Sequence, residues 1–230
     1  MLDENKTEEF LQKLAPCIER GDLDACVEEA ARMAQEKGVG AEELLELSTQ
    51  KGVDGDDNLA YVFALAAAPG LEGKEKAQAF FNAGVGMMHF GKKKKAEKYF
   101  KMAIEFDPND PASHNNYGVL HLDMNHHKMA EVQYKKALEI DPNYALAHCN
   151  YGNLLYEQDR YEEAEEHYKK ALEISPDDSV NHNNYANLLM NTRRYDESEE
   201  HFKKAMELDP ESETIRNNYK ILQSKLNRYK

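Results

Sequence analysis

Tyr117, Tyr151, Tyr185 and Tyr219 stand 34 residues apart in this chain. Gly84, Gly118, Gly152 and Ala186 keep the same interval, and so do Pro108, Pro142, Pro176 and Pro210. The clearest copy is Ala145–Asp178, ALAHCNYGNLLYEQDRYEEAEEHYKKALEISPDD. It returns as Ser179–Ser212 and precedes itself as Pro111–Tyr144 and Ala77–Asp110. A fixed period near 34 is the mark of stacked helix–turn–helix units, each burying its apolar face on its neighbours. Such a chain grows by adding units rather than by enlarging one core.

Composition limits the function classes. The formal net charge is −14, and residues 1–76 carry 18 acidic against 8 basic side chains. Neutralising phosphates needs clustered Lys and Arg, so the balance argues against nucleic acid and anionic membranes. It fits a soluble protein with a neutral or basic partner. The acidic start MLDENKTEEF has no apolar h-region, and the apolar run near Leu59–Pro69 is too short to cross a bilayer. Cys17, Cys26 and Cys149 are an odd number without metal-site spacing. They fit a reducing cytosol, and the expected location is cytoplasmic.

Residues 1–76 read as an acidic helical region with helices over Thr7–Arg20, Asp22–Lys37, Ala41–Lys51 and Asp57–Ala68. Gly21, Gly38, Gly40, Gly52, Gly55 and Pro69-Gly70 mark the breaks. These are helical hairpins, degenerate repeats that continue or cap the stack. Pro16 fits poorly, because proline in a helix interior removes a hydrogen bond.

From Ala77 the units are regular: 77–110, 111–144, 145–178 and 179–212. Within each, helix A spans roughly positions 1–14 and helix B roughly positions 17–30. Positions 4, 7, 8 and 11 form one face of helix A, and positions 20, 24 and 27 the matching face of helix B. Position 32 is always Pro, which ends helix B. Position 8 is small, 20 is Ala or Ser, 24 is Phe or Tyr, and 27 is Ala. This pattern resembles the tetratricopeptide repeat (TPR) over Ala77–Ser212. The departures are Phe80, His114, His148 and His182 at position 4, where the family often has Trp, and His121 at position 11. The resemblance implies an all-α, right-handed superhelical solenoid. Residues 213–230 keep the phase through Asn218, Tyr219, Ile221 and Leu222 and are expected to form a C-terminal capping helix.

In the family, helix A lines a concave groove, and positions 2, 5, 6, 9, 12 and 13 should point there. Position 6 is Asn82, Asn116, Asn150, Asn184 and Asn218 without exception; position 9 adds Asn153 and Asn187. Asn costs roughly half a kcal/mol against Ala inside a helix, so five at one phase call for compensation. A side-chain amide has donors and an acceptor that match an extended peptide backbone. The row resembles the asparagine ladder on the concave face of the TPR superhelix of O-linked N-acetylglucosamine transferase. The plainer reading is that these amides bond to the neighbouring helix. Tyr156, Met88, Leu122 and Met190 at position 12 are candidate anchors beside the row.

Other chemistries find less support. The family's carboxylate clamp uses basic residues at positions 2, 5 and 6, which here are uncharged. His114, His148 and His182 sit on successive helices ~10 Å apart, too far to share a zinc that needs nitrogens at ~2 Å. No metal site or cofactor is expected. Lys92–Lys95 reads as a solvated face or a contact to the acidic first third. No phosphate loop, nucleophile elbow or Cys-His arrangement appears. The expectation is a non-enzymatic protein-interaction scaffold that binds an extended or disordered segment of another protein. The alternative is a structural or self-association module, docking through the N-terminal helices or the outer surface, with the Asn row packing helices.

Overall fold

The computed structural model describes residues 4–228. Among them the fold is all-α, with no strand. The helices are α1 (Glu4–Glu19), α2 (Leu23–Lys37), α3 (Ala41–Val53), α4 (Asp57–Ala67), α5 (Gly73–His89), α6 (Lys93–Phe106), α7 (Pro111–Asp123), α8 (His127–Ile140), α9 (Ala145–Glu157), α10 (Tyr161–Ile174), α11 (Ser179–Asn191), α12 (Tyr195–Leu208) and α13 (Glu213–Arg228). The expected helices of residues 1–76 all form, with no end shifted by more than three residues. The chain divides into two compact units, one ending at Leu120 and the other starting at His121.

In the first unit α1 packs on α2, α3 on α4 and α5 on α6. The turns inside these hairpins reverse at Gly21, Gly55 and Gly91, whose φ values of +71°, +78° and +64° lie in the left-handed region. Glycine adopts that region without the steric cost a Cβ brings. Gly21 and Gly55 are themselves 34 residues apart. Phe10 and Phe63 meet edge-on at 5.9 Å in the core, and Leu14 and Met33 are fully buried as well. α1 continues through Pro16. The reversal at Gly21 brings Cys17 and Cys26 to a Cα separation of 5.7 Å, and their sulfurs are bonded. Two of the three cysteines are thus paired, a pairing that spacing alone did not reveal and one that runs against reading the cysteines as fitted to a reducing cytosol; Cys149 is free and buried. Lys95 of the basic run reaches Asp24 at 3.3 Å, so that run does contact the acidic first third.

The second unit repeats one arrangement. α9 packs on α10 and α11 on α12, while α8–α9, α10–α11 and α12–α13 join successive pairs. The tight turns here use non-glycine residues in the left-handed region: Asn125, Asp159 and Arg193 at φ +58°, +59° and +62°. Asp178 caps α11 by accepting from the Val180 and Asn181 amides at 2.8 and 3.0 Å, which satisfies amides that a helix start leaves unbonded. Gly152 lets the A helix approach its B helix: a Cβ there would lie 2.8 Å from the Tyr168 ring. At the matching place in the next pair, Ala186 and Phe202 are both fully buried.

Successive pairs are fastened on their B helices by a repeated polar staple. Tyr151, Tyr185 and Tyr219 donate to Glu131, Glu165 and Glu199 at 2.8, 2.9 and 2.9 Å. The same bond, Tyr117 to Glu97 at 3.4 Å, occurs in the first unit. Arg160 adds a contact to Glu131, and Arg194 a two-oxygen contact to Glu165 at 2.7 and 2.8 Å. Each glutamate also pairs with the lysine four residues on. α13 ends this unit with Ile215 and Leu222 buried and with Lys220, Ser224 and Asn227 exposed. Leu222 joins Ala186, Met190 and Phe202 in one apolar cluster.

Candidate functional site

Helical geometry places positions 2, 6, 9 and 13 of each A helix on one stripe. On α9 these are Leu146, Asn150, Asn153 and Glu157; on α11, Val180, Asn184, Asn187 and Asn191; on α13, Thr214, Asn218, Ile221 and Lys225. The stripe is amphipathic. Leu146, Val180 and Ile221 are 50%, 57% and 49% exposed, while Asn150, Asn153, Asn184, Asn187 and Asn218 are half-buried between them.

Several of these amides bond to the preceding A helix. Asn218 donates to Asn183 Oδ1 at 3.0 Å, and Asn184 to Cys149 Sγ at 3.4 Å. Asn82, in the first unit, donates to Ser48 and Thr49 hydroxyls at 3.0 and 3.2 Å. Asn116 instead bonds its own helix at Ala112 O, 3.0 Å. Asn191 donates to the Tyr156 hydroxyl. Asn153 accepts from the Tyr168 hydroxyl at 2.7 Å, fixing that amide from below. One donor used in this way leaves a primary amide with a second N–H and further acceptor capacity. Of the candidate anchors, Tyr156, Met88 and Leu122 are half-buried. Met190 is 7% exposed and belongs to the core, so it is not available as an anchor.

The histidines at position 4 have an architectural task that the sequence did not disclose. His114, His148 and His182 each put Nε2 within 3.2, 3.0 and 2.9 Å of the Pro carbonyl that closes the preceding B helix. Arg216 does the same at Pro210 O, 2.7 Å. A carbonyl only accepts, so Nε2 carries the proton and Nδ1 presents a lone pair. In two units that lone pair faces a second imidazole: His148 to His167 at 2.8 Å, His182 to His201 at 2.9 Å between Nδ1 atoms. Burial, helped by its neighbour His148, pushes His167 down to about 4; burial beside His182 likewise lowers His201. Among the described residues no group of three or more metal-binding side chains converges. No helix there is long and apolar enough to cross a membrane.

Comparison with known families matches two models, both described as tetratricopeptide repeat: one over residues 99–132 and 133–166, the other over residues 155–217. Together these span just over half of the 230 residues. No curated protein sequence matches the chain. Among solved structures, the APC/C hetero-tetramer Cut9–Hcn1 matches with TM-score 0.73 at 15% identity, covering 93% of this chain and 45% of that one. The chain therefore spans less than half of that relative. A thermophilic TPR protein from Thermus thermophilus, TTC0263, matches with TM-score 0.69 at 18% identity, covering 80% and 99%. YrrB, a TPR protein with an unusual peptide-binding site, matches with TM-score 0.56 at 17% identity, covering 82% and 96%.

Proposed function

Because this chain belongs to the tetratricopeptide-repeat family, whose members are generally non-catalytic scaffolds, we propose that it holds an extended segment of another protein along its A helices. The observation that carries the reading is the amphipathic stripe of the second unit. Leu146, Val180 and Ile221 stay half exposed beside a row of half-buried amides. Water gains little from leaving such side chains bare, and exposed apolar groups ringed by polar ones mark contact surfaces.

In this reading each amide has two tasks. A hydrogen bond to the preceding helix orients it, as in Asn184 and Asn218. Its remaining donor and acceptor capacity meets a peptide backbone, while Leu146 and Val180 receive apolar side chains. Asn82, Asn116 and Asn150 hold the same repeat position, Asn153 and Asn187 lie one turn along, and Tyr156 flanks them. YrrB shares the fold and binds peptide, which supports a peptide as the ligand class here.

The test is a peptide array probed with wild type and with Leu146→Ser/Val180→Ser/Asn187→Ala, with melting curves alongside. Those side chains are exposed or half-buried, so melting should move little while peptide retention falls at least tenfold. Equal retention by the two proteins would remove the stripe from the account.

A further inference from the structure

In the first unit a cavity of about 810 Å³ opens along α3, with Thr7 of α1 and Glu75 and Gln78 of α5 on its wall. Its size lies within the roughly 300–1,000 Å³ of ordinary ligand pockets. Two properties of its lining stand out. Apolar surface comes from Leu45, Leu47 and Val53, and Val53 is 79% exposed, the barest large apolar side chain among the described residues. Charge comes from Glu42, Glu43, Glu46 and Glu75, with Lys51 the one cation among the described lining residues. Lys51 is itself paired with Asp54 at 3.2 Å. Glu43 bonds the Gly40 amide at 3.0 Å, which fixes its place at the rim without cancelling its charge.

We infer that this cavity takes a basic peptide segment, with an apolar side chain against Val53 and Leu45 and Lys or Arg facing the glutamates. The inference rests on the peptide-scaffold reading and names the partner chemistry for this part of the chain. Charge complementarity decides the occupant. An acidic or neutral apolar segment would bring no positive charge to Glu42, Glu43 and Glu75 as it took water from them, which is costly. A basic segment neutralises them and covers Val53 in the same step. A cleft lined by one sign of charge also concentrates ligands of the opposite sign. The excess of 18 acidic over 8 basic side chains in residues 1–76 extends that field.

The test is fluorescence anisotropy on the full chain with three short labelled peptides: alternating Lys/Leu, Lys/Ser and Glu/Leu. The Lys/Leu probe should bind, with the other two at least tenfold weaker. Val53→Asp adds a negative charge, so mere net-charge attraction would strengthen binding; the inference requires at least a tenfold loss. Glu42→Gln/Glu75→Gln should weaken binding about tenfold and flatten its salt dependence. The control Glu162→Gln/Glu173→Gln, with the same charge change on exposed positions of α10, should bind as wild type. A control as weak as the cavity pair, or Val53→Asp binding like wild type, would overturn the inference and leave the scaffold reading standing. No peptide of any composition retained on the array or in solution would overturn both.

Discussion

The Tyr168 hydroxyl donates to Asn153 Oδ1 at 2.7 Å, whereas the Tyr134 hydroxyl one repeat earlier is buried with no partner among the described residues. The two tyrosines hold the same repeat position. Residue 153 is an amide, but its counterpart 34 residues earlier is Val119, which has no side-chain acceptor. A buried polar group without a partner costs roughly 1–3 kcal/mol. Tyr134→Phe should therefore leave stability unchanged or raise it by up to about 1 kcal/mol. Tyr168→Phe should lower it by about 1 kcal/mol, because Asn153 loses its donor. Urea melts of the two variants check this; equal losses would contradict it.

Gly152→Ala tests the close approach of α9 and α10. Alanine favours helix over glycine by about 1 kcal/mol. Against that, the new Cβ would meet the Tyr168 ring at 2.8 Å, and overpacking costs about 1–3 kcal/mol. The expected balance is a loss. A variant that melts above wild type would show that the ring yields freely.

Acid should act first on the histidine pairs. His167 is lowered to about 4 from an ordinary 6.5, and His201 is lowered too. A depressed folded value means the unfolded chain binds the proton first. Stability is thus full above pH 6.5 and lost as pH falls toward 4. The loss at pH 5 should be on the order of 2 kcal/mol from His167, with a further loss of the same sign from His201. His167→Gln/His201→Gln, which copies Gln133 at the same repeat position, should flatten melting temperature between pH 7 and 5. An unchanged slope would place the titration elsewhere.

Glu165 is the anchor of the staple between α10 and its successor. Burial raises its pKa, but hydrogen bonds from Arg194, Lys169 and Tyr185 outweigh this and hold it at about 2. Glu165→Gln should cost on the order of 1–2 kcal/mol. Glu162→Gln, at an exposed position of the same helix, should cost under about 0.5 kcal/mol. The glutamate's share of stability is present above its unfolded 4.5 and fades as pH falls toward 2. A chemical-denaturation series from pH 6 to 3 separates it from the histidine step.

Helix limits were legible because local chemistry sets them. The expected A and B spans, positions 1–14 and 17–30, became Ala145–Glu157 and Tyr161–Ile174. Proline at position 32 and the tight turn each act within a few residues. At position 7, Tyr117, Tyr151 and Tyr185 are buried, as their phase implied, and Tyr219 of α13 is partly buried. What sequence did not show depends on contacts far along the chain. Position 4 is spaced like a core position, yet its histidines reach a carbonyl in the preceding turn and a second imidazole on the following helix. The period says where Asn184 points, not that Cys149 is within reach of its amide. Met190 shares the phase of Tyr156, but Leu222 of α13 covers it. Cys17 and Cys26 had one readable sign: they flank Gly21, the residue at which the first hairpin turns back.

The central claim is that the amide row of the second unit contacts a bound peptide. The most direct measurement is a ¹⁵N NMR titration of the full chain with an array-selected peptide, following the side-chain amide signals. The account predicts that the Asn150, Asn184, Asn187 and Asn218 side-chain resonances shift together at the stoichiometry of binding. Saturable binding that leaves those four signals in place, while signals of α10 and α12 move, would contradict it.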